Sequence, residues 1–135
     1  MSTVKLQRFE TCDYALTSQE GKLSVMGIFD RIFVQNLPTT HPTMCFVVVA
    51  QGEPKVEHKI KLVIVSPSGK KMNEIPMQVK TNESGYFNII ANINNLPITE
   101  QGMLTIECFD GDEKIGTKEV MISKTPALQG SKVKN

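Results

Sequence analysis

Histidine and cysteine side chains supply most nucleophiles, bases and soft metal ligands near neutral pH, so they are the first residues to weigh. This chain has His41 and His58, and three cysteines, Cys12, Cys45 and Cys108. Either histidine beside Cys45 or a serine would make an acyl-transfer pair. Yet His41 stands in the Pro/Thr-rich stretch NLPTTHPT (36–43), His58 opens an apolar run, and no G-x-S-x-G frames a serine. The cysteines form no C-x-x-C pair, which leaves a zinc site almost no donors. DGDE (110–113) crowds Asp110, Asp112 and Glu113 into one turn. Calcium likes such oxygens but needs six or more, usually from several loops, so a solvated hairpin tip is the plainer reading. SGKK (68–71) lacks the leading glycine and closing Ser/Thr of a phosphate loop. No catalytic residue, cofactor or metal is therefore expected, and the chain does not read as an enzyme.

Composition narrows the partners. Fifteen Lys+Arg against fourteen Asp+Glu give a net charge of +1, which offers no field to draw in nucleic acid or an anionic membrane. Apolar residues at 40% and charged residues at 21% suit a folded chain, and 135 residues suit one domain. That domain is expected over 1–122, with 123–135 a flexible tail made basic by Lys124, Lys132 and Lys134. The longest apolar run, MCFVVVA (44–50), is strand-sized, and MSTVKLQRFE has no apolar leader core. Neither a membrane span nor a secretory leader is expected. Unpaired cysteines in strand-like segments then fit reduced thiols and a cytoplasmic setting. The acceptor triplet NES (82–84) would stay unused there.

The elements that must position these residues are strands. Segments 4–16, 22–27, 28–35, 44–50, 57–65, 72–80, 86–93, 103–109 and 114–122 are short, rich in β-branched residues and bounded by turns such as SPSG, NESG and DGDE. Eight or nine such strands predict an all-β fold: an antiparallel two-sheet sandwich, immunoglobulin-like or Greek-key.

The strands are not alike. Phe87, Ile89, Ala91 and Ile93 share one face, with Asn88 and Asn92 on the other. That is a sheet with one wet side. In the first half both faces are apolar: Met44, Phe46 and Val48 lie opposite Cys45, Val47 and Val49. Strands of that kind are normally covered twice, and a sandwich covers them once. A cover is thus expected from the loop 36–43, the tail after Ile122, a second copy, or another protein. Scattered surface valines are the plainer alternative. In KLSVMGIFDRIFVQN (22–36), Asp30 and Arg31 point to opposite faces and cannot pair with each other. Arg31 between Phe29 and Phe33 has the composition of a contact hot spot, while Gly27 is a natural bulge site. A register-fixing ion pair to a neighbouring strand explains the two charges equally well.

DYAL (13–16), GKLSVMGIFDRI (21–32) and the proline-flanked loop 38–42 before MCFVVVA resemble an uncharacterised bacterial family of small all-β proteins. Its pattern is D-Y-A, G-K-L, G-x-F-D-x-I and a proline, then an apolar strand and a dP-x-G turn. Here that turn is Ser66-Pro67-Ser68-Gly69, with serine in place of the acid. The match covers about 13–71 and is moderately specific. The resemblance implies a bacterial, intracellular protein and carries over no catalytic residue.

The expected function is a non-catalytic module docking onto a protein partner or a second copy through Phe29, Arg31, Phe33, Cys45, Val47 and Val49. The alternative is a small-ligand or carbohydrate module using the loops 36–43 and 94–102. Only Tyr14 and Tyr86, and no Trp, are on hand to stack on a sugar.

Overall fold

The computed structural model describes residues 4–125. Nine strands form where apolar alternation meets turn chemistry: β1 (Lys5–Thr17), β2 (Leu23–Ile28), β3 (Arg31–Val34), β4 (Thr39–Gln51), β5 (Glu57–Val65), β6 (Lys71–Lys80), β7 (Tyr86–Ile98), β8 (Gly102–Asp110) and β9 (Glu113–Lys124). They make two sheets, β2-β1-β4-β7 and β3-β9-β8-β5-β6. Phe46, Val48, Phe87 and Ile89 of the first sheet meet Ile60, Leu62, Leu104, Ile106 and Val120 of the second in one buried core. Removing such side chains from water is the main force holding the layers together.

Two expected loops are largely strand. β4 starts at Thr39 and β7 runs on to Ile98, because these extensions pair with each other from Thr39–Ile98 to Thr43–Asn94. A long antiparallel ladder outweighs the local breakers. Pro97 is tolerated because β7 is an edge strand, and Asn95 adopts φ +57° opposite Pro42. His41 consequently lies in β4, paired with Leu96, and only 36–38 and 99–101 remain of the two loops.

The apolar run expected as one strand over 28–35 is broken. β2 ends at Ile28 in one sheet, and β3 begins at Arg31 in the other, parallel to β9. Gly27 at φ +70° and the buried Thr11 fix the crossover: the Thr11 hydroxyl donates to the Phe29 carbonyl, and the Phe29 N–H donates back to the Thr11 carbonyl at 2.9 Å. Asp30 and Arg31 sit at that crossing, both exposed, which is why charge is tolerated inside an apolar run. Neither forms an ion pair among the described residues, so they do not fix register in the way one alternative supposed.

β9 continues through Lys124, and the Thr125 N–H donates to the Val34 carbonyl at 2.7 Å. The sheet therefore extends past 122, and the rest of the expected tail, 126–135, lies outside the described residues.

Candidate functional site

The surface of interest is built by the β1–β2 hairpin. β1 pairs with β4 only as far as Cys12–Cys45, then continues with β2 alone. Run straight beside β4, Thr17 would lie next to Thr40, roughly 35 Å from Tyr86 at 3.3 Å per residue. Instead, Thr17 and Gly21 share a cleft with Asn82, Tyr86 and Asn88. The hairpin has folded back across the outer face of β4 and β7. Gly27 supplies the bend, since a Cβ there would meet the Asp13 carboxylate at 2.4 Å.

Under the hairpin lies a second apolar cluster: Cys12, Ala15, Cys45 and Val47, with Leu23, Val25, Val49 and Ile90 packed around it. The cover expected over the two-faced strand is thus a segment of the same chain, and neither the loop 36–43 nor a partner is needed to supply it. Cys45 and Val47 have no exposed surface and Val49 is half-buried, so these three are not available for docking. Phe29 is also half-buried, packed against the main core.

The apolar character reappears one layer out. Ala15, Val25 and Leu23 face down, and the alternate positions carry Tyr14, Leu16, Met26 and Ile28 at 53%, 37%, 49% and 55% exposure. Tyr14 and Met26 are cross-strand partners. Next to them on β3, Phe33 is 62% exposed, with the Arg31 guanidinium 5.9 Å from its ring centre. A shallow cleft of about 310 Å³ joins Ile28, Arg31 and Phe33 to Asp13 and His41. Of the six expected contact residues the structure leaves Arg31 and Phe33 accessible. Tyr14, Leu16, Met26 and Ile28 were missed, although their two-residue alternation with Ala15, Leu23 and Val25 is plain in the sequence.

The reactive side chains lie elsewhere. His58 Nδ1 donates to both carboxylate oxygens of Asp110 at 3.1 and 3.2 Å, with the two side chains 9% and 12% exposed. The carboxylate fixes the ring's tautomer. Nε2, the atom that a nucleophile would have to meet, is buried without a hydrogen-bond partner among the described residues, and the ring lies 6.1 Å from that of Phe87. The pair closes one end of the core. Asp110 thus points inward rather than joining Asp112 and Glu113, and no metal-holding cluster occurs among the described residues. Asp110→Ala leaves a buried imidazole nitrogen unmet and should cost about 2–4 kcal/mol. The shift of the urea midpoint measures it.

All three cysteines are free and buried. Burial pushes the Cys45 and Cys108 thiols up to about 12, with Cys12 adding to the effect at Cys45 and Asp110 at Cys108. Burial raises Cys12 as well. Thiols held protonated in this way are poor nucleophiles.

β4 and β7 facing β9-β8-β5-β6, with β3 parallel to β9, are wired as in an immunoglobulin-like sandwich, and the β1–β2 hairpin stands where that fold has a single first strand. An immunoglobulin-like β-sandwich domain is therefore the class. The chain belongs to the Family of unknown function (DUF6941), whose model matches residues 7–123. No curated protein matches the sequence.

Among solved structures, the chain is similar to Pseudomonas fluorescens alkylpurine DNA glycosylase AlkC bound to DNA containing an abasic site analog. Identity is 9% and the TM-score 0.56, over 90% of this chain and 31% of that one. It is also similar to a β-D-glucoside glucohydrolase from Trichoderma reesei, at 10% identity and TM-score 0.50, over 88% of this chain and 18% of that one. An immunoglobulin-like protein from Pseudomonas aeruginosa matches at 13% identity and TM-score 0.47, over 90% of this chain and 97% of that one. The chain spans under a third of the glycosylase and of the glucohydrolase. At these identities the likeness is one of fold.

Proposed function

We infer that the protein is a non-catalytic interaction module that docks through the outer face of the β1–β2 hairpin and the adjoining β3. The carrying observation is the group Tyr14, Leu16, Met26, Ile28 and Phe33, each between 37% and 62% exposed. Taking about 200 Å² for a large side chain, they leave on the order of 500 Å² of apolar surface in water, the upper range for a monomer's largest patch. Arg31 beside Phe33 adds a forked donor of the kind enriched at contacts. Three unpaired thiols suit a reducing compartment such as the cytoplasm.

Photo-crosslinking in intact cells tests the reading. A benzophenone side chain at Tyr14 should give a heavier adduct, and one at Gln78 on β6 should give none. Adding Ile28→Ser and Phe33→Ser should abolish the adduct while leaving the melting curve within about 1 kcal/mol of the parent, since both residues are half-exposed. No adduct from position 14, or equal adducts from both positions, overturns the reading.

A further inference from the structure

We propose that a second copy of the same chain extends this surface by pairing antiparallel along the free edge of β2, which joins the outer faces of the two copies side by side; the proposal rests on the docking reading above.

β2, β3, β6 and β7 are the sheet edges. Natural edges carry features that discourage further pairing. β6 has Pro76 with Lys71, Glu74 and Lys80, β7 has Pro97, and β3 is four residues long with Arg31 among them. β2, LSVMGI, has neither charge nor proline. Its free edge is also equipped to bond. The hairpin is closed by the Ser18 N–H on the Lys22 carbonyl at 2.8 Å, which sets the phase of the ladder. Leu16–Ser24 and Tyr14–Met26 are then the inward-bonded pairs. The main-chain groups of Leu23 and Val25 are left aimed away from β1.

Charge selects the partner and the register. Lys22 and Asp30 flank β2 at its two ends, and both are exposed. Antiparallel pairing about a two-fold axis at Met26 sets Met26 against its own copy and Ser24 against Ile28. It also brings Lys22 of each copy to the end of the ladder where Asp30 of the other leaves β2 for the crossover. Moving the axis to Val25 brings the hairpin turn with Glu20 to that end instead, a like-charge contact at both ends. A second copy presents the same apolar residues and the opposite charge at each end, as an isologous interface requires. The Asp30 carboxylate then has a partner that its own sandwich does not give it among the described residues.

Sedimentation equilibrium of the full chain is the test. The wild type should sediment at twice the 15.0 kDa chain mass. Asp30→Lys, at an exposed side chain, should weaken the dimer about tenfold or more by placing like charges at both ends. Lys22→Asp combined with Asp30→Lys should restore it. Single-chain mass at every concentration overturns the second copy, and a dimer that the double exchange fails to restore overturns this register. If a wild type of single-chain mass still cross-links from position 14 to another protein, the second copy is overturned while the docking reading stands.

Discussion

Gly85→Ala should destabilise the domain by about 3–5 kcal/mol, a large share of the stability of an ordinary domain. Gly85 has φ +87° at the turn into β7, a conformation that costs a side-chain-bearing residue about 1–3 kcal/mol. Its missing Cβ would also stand 2.2 Å from the Gly52 carbonyl oxygen. That oxygen is backbone, and the Gly52 N–H donates to the Gly85 carbonyl at 2.7 Å, so the two segments cannot part without losing the bond. Gly69 is the control. It has φ +91° but nothing within 4 Å of the added carbon, so Gly69→Ala should cost only the conformational term. Urea unfolding of the two variants at unchanged m separates clash from strain.

Val47→Asp should cost about 4 kcal/mol or more. In a plain two-layer sandwich Val47 would face solvent, and a carboxylate there would be nearly neutral. Here the hairpin covers it completely, so the substitution places an unpaired charge among Cys12, Ala15 and Cys45. Tyr14→Asp, one layer out, should change stability by less than about 1 kcal/mol. Urea midpoints that fall equally for both, or for neither, would mean that the hairpin does not lie over β4.

These contrasts also mark how far the sequence could be taken. The span 57–65 emerges as β5 with the expected ends, and Phe87, Ile89, Ala91 and Ile93 face the core as their alternation requires. Both follow from side chains two apart sharing a face. Cys45, Val47 and Val49 likewise announced a cover. What they could not announce was its identity, because a fold-back depends on φ at Gly27 and on contacts between residues far apart in sequence. The segment 36–43 was misjudged for a related reason. Its prolines are local signals, whereas its strand character comes from pairing with β7 more than fifty residues on. His58 and Asp110 show the same limit, since only the pairing of β5 with β8 brings them together. The exposed apolar surface was half-legible. Arg31 and Phe33 stood out by composition, but Tyr14, Met26 and Ile28 become outward-facing only once the hairpin's underside is known.

The parallel pairing of β3 with β9 joins Arg31 to Met121 and Val34 to Lys124. A ribosome must therefore deliver residues 121–124 before the early strand β3 finds its neighbour. Fragments ending at 110 have no β9 to receive it, and Ile32 and Val34 stay uncovered until β9 has been made. Closure of this domain waits on β9, with a loop of some ninety residues to shut and the slow kinetics that such distant contacts impose.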